Sequence, residues 1–221
     1  MSASVEQLEA RLLDGADTLT DIIPSAITLA MMLRHRNLAA WLRSEFDGYP
    51  DSDKVPDYRR QCPGHIVARS PQYGWIAAPI SEEQKAEFGH LDLTDGIKAL
   101  ESACQGLKKG SSQRVTLEPE QMAALKAGLK LNADLAISLS RQTYSELLRT
   151  VRGALLLWAR DLRAKGIAGE HTHYEKDERQ TVAALDTPDH YWQQAWHQLD
   201  ALGVPDVREV GLLGRFFGKA V

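Results

Sequence analysis

The side chains best suited to chemistry in this sequence are thinly spread. Glu170-His171-Thr172-His173 is the densest metal-capable group, because imidazole and carboxylate are hard-to-borderline ligands and alternate residues of an extended segment point the same way. His171 and His173 have no third partner at a recognisable spacing, and a solvated polar loop after a helix is the plainer reading. His190 and His197 fall about two turns apart on one expected helix, but Tyr191, Trp192 and Trp196 beside them favour a packing surface. Arg149, Arg152, Arg160 and Arg163 recur at helical spacing along one side of a long helix. Such a row suits phosphates or an acidic partner, or else is an ordinary solvated face. The pairs Asp51/Asp53 and Glu118/Glu120 are acids of the kind that turns and helix starts favour. No P-loop, dinucleotide glycine fingerprint, nucleophile elbow or H-E-x-x-H helix occurs. The sequence therefore predicts no catalytic residue and no cofactor; an enzyme is unsupported rather than excluded.

Composition narrows the classes further. The chain has 221 residues, 43% hydrophobic and 25% charged, the balance of a globular protein with one good core. A formal net charge of −4 gives no global attraction to phosphate, so nucleic acid would have to be met by a local patch. The first six residues carry neither a basic nor an apolar signal region, and the apolar stretch Ile22 to Leu42 is broken by Arg34, His35 and Arg36. A cytoplasmic protein is the expectation. Cys62 and Cys104 are far apart and in no C-x-x-C pattern, which predicts packing roles rather than zinc or redox chemistry.

The elements that must position these residues are mainly helical. Ser4-Val5-Glu6-Gln7 has capping-box form and opens a first helix; Asp21 with Pro24 opens a second; Asn37 caps a third bearing Leu38, Trp41, Leu42 and Phe46 on one side. Residues 50–60 hold two prolines and three aspartates, and predict an ordered loop in which Tyr49 and the Val55–Arg59 stretch pack. Runs at 64–68 and 75–78 predict a β-hairpin. Ser81 starts a capped helix, a further helix is expected over Thr94 to Leu107, and Lys109 to Ser112 reads as a loop. Glu118-Pro119 starts another helix, while Ala133 to Leu139 fits strand or helix equally. The clearest element is Gln142 to Lys165, where Tyr144, Leu147, Leu148, Val151, Leu155, Trp158 and Leu162 form one apolar stripe and Gly166 ends the helix. A polar segment over 169–180 follows, then a helix from Thr187-Pro188 through His197. The fold class expected is α+β, mainly α-helical, with a body over residues 1–184 carrying the small hairpin and a helical C-terminal appendage over 185–221.

Three stretches together resemble the AbiTii domain, a family named from a lactococcal abortive-infection system. Asn37 to Tyr49, continuing to Val55-Pro-Asp-Tyr-Arg59, is similar to the family's EWxxxELxGY … LPxYR pattern. Ile137 to Ser140 leading into Leu147–Arg152 and Leu156–Ala159 forms the second stretch, and Lys165 to Glu170 with the polar Glu175–Glu178 run forms the third. Order and spacing agree over roughly residues 4 to 184. Phe46 and Asp47 stand where the family usually has Leu and Asn, and His171-Thr172-His173 replaces a less polar run. The resemblance implies a role in phage defence and carries no defined catalytic residues.

The end of the chain supplies a candidate contact surface. From Asp206, read as a cap, Val210, Leu213 and Phe217 share one helical side with Leu212 and Phe216 adjoining, while Gly211, Gly214 and Gly218 line another. Small residues at this spacing let a second helix approach closely. Leu212, Leu213, Gly214, Phe216, Phe217 and Gly218 are thus the predicted binding residues. The predicted partner is a second copy of the chain or another protein, acting in abortive infection without enzymatic chemistry. Docking onto the chain's own body ranks beside self-association, with membrane contact last because the segment is too short to span a bilayer. General nucleic-acid binding is not expected. A phage-activated hydrolase or nuclease using His171 and His173, and a membrane-perturbing effector acting through this tail, are the rival readings.

Overall fold

A computed structural model describes residues 4–167 and 174–208. Among these, nine α-helices surround a small curled antiparallel sheet, so the fold is α+β and mainly helical. The first helix, α1 (Val5–Leu13), starts where Ser4 accepts the Gln7 N–H at 3.0 Å. Then come α2 (Leu19–Met32), α3 (Arg36–Asp47), two single 3₁₀ turns (Ser52–Lys54 and Asp57–Arg59), β1 (Cys62–Ser70) and β2 (Gly74–Ala77). The middle of the chain holds α4 (Glu82–Phe88), β3 (His90–Leu91), α5 (Ile97–Gly106), β4 (Ser112–Val115), α6 (Pro119–Leu129) and β5 (Leu135–Ser140). It closes with α7 (Arg141–Ala164), α8 (Lys176–Val182), a 3₁₀ turn (Ala183–Leu185) and α9 (Pro188–His197).

The long helix α7 is the axis of the molecule. It begins directly at the end of β5, where Ser140 accepts the Thr143 N–H at 3.1 Å, and α1, α5 and α9 all pack along it. Every member of its expected stripe, from Tyr144 to Leu162, is buried, and Trp158 is wholly enclosed. Each such aliphatic side chain contributes about 1.5–3 kcal/mol on burial, which is how a sequence with modest helix propensity at its β-branched positions still commits to one long helix. Gly166, at φ 81°, ends it as expected. Tyr191, Trp192, Ala195, Leu202 and Val204 belong to the same buried cluster as the rest of the core, so the described part of residues 185–221 packs into the body.

The sheet runs in the order β2-β1-β5-β4, with β3 pairing β1, and all its pairings are antiparallel. Ile66 stands opposite Ile137, and Gly64 opposite Leu139. The expected hairpin is β1–β2, and the stretch that fitted strand or helix is the inner strand β5, buried at five of its six positions.

Several local expectations are corrected. The second helix starts earlier, with Thr18 as its cap and Pro24 inside it, because the Glu101 carboxylate from α5 accepts the Leu19 and Thr20 N–H groups at 2.6 and 3.0 Å. Asn37 is not the cap of α3: His35 occupies that position, and Asp186 accepts the Asn37 and Leu38 N–H groups at 3.1 and 2.8 Å. The helix expected from Thr94 begins only at Ile97, since the Thr94 and Asp95 carbonyls are drawn to Tyr49 N–H and Arg59. Ser112, taken for loop, opens strand β4, and α8, started by Glu175 and Glu178 in a reciprocal capping box, begins within the polar segment at 169–180 and runs on to Val182. The helix expected beyond Asp206 lies outside the described residues, while the Asp206 carboxylate is engaged by α7.

Candidate functional site

Helix α3 carries its apolar face at Leu38, Trp41 and Leu42, and one turn further on the same face bears an acid, Glu45. Glu45 is fully buried, and its partner arrives from the 3₁₀ turn Asp57–Arg59, whose Pro56 fixes the entry and whose Arg59 is likewise fully buried. Arg59 Nη2 donates to Glu45 Oε2 at 2.7 Å and its Nε reaches both carboxylate oxygens at 3.1 and 3.2 Å. Its remaining Nη1 donates to the carbonyls of Leu93 and Asp95 at 2.9 and 2.8 Å, tying the strand-like entry of α5 to the same centre. Tyr49 and Tyr58 both donate to Glu45 Oε1, at 2.5 and 2.6 Å, and Trp41 Nε1 donates to the Tyr58 hydroxyl at 3.2 Å. The guanidinium also lies 5.1 Å from the centre of the Tyr49 ring. Gly48, at φ 100°, brings the end of α3 against residues 94–96, so close that a Cβ there would stand 2.9 Å from the Thr94 carbonyl.

This network is closed. Burial pushes both tyrosine hydroxyls well above their ordinary range, with the Glu45 charge adding to it. Burial alone would lower the Arg59 guanidinium, yet Glu45 and the tyrosines hold it above its usual value. A protonated Arg59 and two neutral phenols therefore converge on the Glu45 carboxyl group. Such a set locks α3, the 49–59 loop and the start of α5 together.

The same use of charge recurs across the fold. Arg152 is buried and donates to the carbonyls of Leu12 and Asp14 at 3.1 and 3.2 Å, and also to Asp17 O, covering the end of α1. Arg160 and Arg163 share Glu9 of α1, and Arg149 pairs with Asp200 at 3.2 Å. The four arginines do lie along one side of α7, but each is committed to a group within the chain. Cys62 and Cys104 are buried thiols, both pushed up to about 11 chiefly by desolvation, and so are poor nucleophiles. His35, buried at the entry to α3, accepts the Trp158 indole N–H on Nδ1 at 3.2 Å and meets the Val182 carbonyl through Nε2 at 2.9 Å. His171 and His173, and the tail residues Leu212, Leu213, Gly214, Phe216, Phe217 and Gly218, lie outside the described residues. No cluster of three or more His, Cys, Asp or Glu able to hold a metal occurs among the described residues, and no described helix is long and apolar enough to cross a membrane.

Sequence reasoning grouped Tyr49, Val55, Pro56, Asp57, Tyr58 and Arg59 as a packed loop, and Val55, Tyr58 and Arg59 are buried. It missed Glu45, Glu101 and Asp186. For the first two a signal existed: each is an acid on the apolar face of its helix, beside Trp41 and Leu42 or beside Ile97, Leu100 and Cys104. Asp186 lies in a turn and gave no such sign.

A helical frame whose buried charges clamp and cap its own elements is the class that fold and site define. A profile of the AbiTii family matches residues 4–187, and the chain belongs to that family. Trp41, Glu45, Gly48, Tyr49, Pro56, Tyr58 and Arg59, which carry the likeness to the family pattern, are the residues of the lock and its approach. Membership sets the chain in the context of abortive infection and phage defence. No curated protein and no solved structure matches it significantly.

Proposed function

We propose that this AbiTii-family chain is a non-enzymatic assembly module of phage defence, a rigid body that presents its C-terminal segment to a second copy or to another protein. One observation carries the reading: the residues that match the family pattern bind one another around a buried ion pair, which favours a shared frame over a shared reaction. The frame also gives the terminal segment a fixed point of departure. Arg141 and Ser145 of α7 hold the Asp206 carboxylate, and Arg141 also donates to the Val207 carbonyl. Burial alone would raise Asp206, but the Ser145 hydroxyl and Arg141 keep it below the usual carboxylate range, so the clasp stays charged at neutral pH. Beyond it the sequence of residues 209–221 carries Val210, Leu212, Leu213, Phe216 and Phe217 among the charges Glu209, Arg215 and Lys219, with glycines at 211, 214 and 218.

The test is truncation after Arg208, which leaves the clasp intact. The expected result is an unchanged melting temperature, a smaller mass by light scattering, and loss of protection in a plaque assay. A truncated chain that keeps both its assembly state and its protection contradicts the reading.

A further inference from the structure

Two grooves of similar size flank the sheet, and they differ in charge. One, of about 630 Å³, is lined by Glu87, Asp92, Asp95 and Glu118. The other, of about 610 Å³, runs along β4 between α5 and the β1–β2 hairpin, and Arg114 is the one charged side chain among its described lining residues. The strand register explains what faces it. Arg69 pairs with Trp75, Val67 with Ala136, and Ser138 with both His65 and Arg114, so alternate residues of four strands put His65, Arg69, Trp75 and Arg114 on one side. β2 and β4 end the four-strand path on opposite sides, yet the Arg114 guanidinium lies 4.9 Å from the centre of the Trp75 ring, because the sheet curls. None of the ion pairs among the described residues takes Arg114. Arg69, 3.9 Å from Asp134, marks one rim; Lys108, exposed, follows the α5 wall at Gly106 and Leu107. Tyr73, in the turn beside Trp75, is 76% exposed.

We infer that this sheet face is a binding platform for a single strand of nucleic acid. The chemistry has two parts. A guanidinium laid on an indole makes a flat, cationic surface on which a base stacks, and Tyr73 offers a second aromatic face two residues away. Arg114 then meets the phosphates in a groove whose described lining holds no acid, with Arg69, which also faces Asp134, and Lys108 at its rims. A duplex does not suit it, since paired bases hide the faces that Tyr73 and the Trp75–Arg114 pair would stack. The net charge of −4 is compatible with this, because the groove's described lining holds no acid, whereas Glu45, Glu101, Asp186 and Glu9 are engaged inside the frame and four more acids line the other groove.

The experiment is fluorescence anisotropy of the full chain with a labelled oligothymidylate of about 12 nucleotides, within the range that single-strand binders cover. The same titrations use the matching duplex, ATP and inorganic polyphosphate. Binding of the strand in preference to all three is expected. Trp75→Ala and Tyr73→Ala should each weaken it at least about 5-fold, the lower end of what one lost stacked base costs, while Trp75→Phe keeps most of it. Arg114→Gln should flatten the slope of log affinity against log salt by about 0.7, one phosphate contact on a single strand. Tyr73 is exposed, so its variant tests the platform even if a Trp75 substitution disturbs the hairpin. Polyphosphate or ATP binding as tightly as the strand, or unchanged affinity in the folded Tyr73 and Arg114 variants, would overturn the inference.

Discussion

Replacing Glu45 with alanine removes the acceptor on which the whole lock converges. The Arg59 charge, fully buried, would keep only the Leu93 and Asp95 carbonyls, and the Tyr49 and Tyr58 hydroxyls would lose their acceptor within the core. Removing one partner of a buried pair costs about 3–5 kcal/mol, most of it the uncompensated charge left behind. For a chain of 221 residues, each kcal/mol moves the melting temperature by about 2–4 °C, so Glu45→Ala should melt about 6–20 °C below the parent. The double variant Glu45→Leu with Arg59→Leu removes both charges and should be far less than additive, because it strands none. Thermal unfolding followed by circular dichroism measures both. A Glu45→Ala protein melting within a degree or two of the parent, or a double variant whose loss equals the sum of the single ones, would refute the account of the lock.

Other expectations follow from the same packing. Burial holds the His35 pKa below its ordinary 6.5, although Asp186 and the Val182 carbonyl oppose the shift. The unfolded chain thus binds the proton first. Stability from this residue is complete above about pH 6.5 and falls below it by up to about 1.4 kcal/mol per pH unit; equal urea midpoints at pH 7.5 and 5.5 would contradict it. Trp158→Ala, at a wholly enclosed site, should cost about 3–5 kcal/mol in urea unfolding, and a cost below 1 would mean that the cavity collapses. A Cβ at Gly153 would stand 2.8 Å from Leu202 Cδ1 and 3.2 Å from Ala195 Cβ, so Gly153→Val should wedge α9 off α7 at about 1–3 kcal/mol. Protease cleavage between residues 186 and 208 should rise with it, and an unchanged digestion pattern would oppose this.

What was legible in the sequence was what one element determines alone. The stripe of α7 repeats with helical period over about five turns, and the β1–β2 hairpin alternates between clear turn residues, so both stand as expected. Starts and ends of helices were read less well, for a physical reason. Thr18 is a local cap of α2, but the other first-turn N–H groups of α2 and α3 are taken by Glu101 and Asp186, acids 81 to 149 positions away, which no local pattern announces. β4 was missed because Ser112-Gln-Arg-Val115 has one apolar residue; it is held as a strand by pairing with β5 rather than by its own preference. The row of arginines on α7 was seen as a surface, while its partners, the end of α1, Glu9 and Asp200, lie far off in the chain. The buried charges Glu45, Arg59, Glu101 and Arg152 all bind distant elements, and that is the part of a fold a linear reading sees last.

The proposed function assigns the residues that match the family pattern to a frame rather than to a reaction. The most direct measurement sets phage protection in cells against the folded fraction of the same protein at the same temperature, across Glu45→Gln, Glu45→Ala, Arg59→Lys and Tyr58→Phe. The account predicts a single curve, on which any variant that stays folded protects as the parent does. A variant that is fully folded, assembles normally and yet fails to protect would contradict it, because its lost side chain would then be doing chemistry.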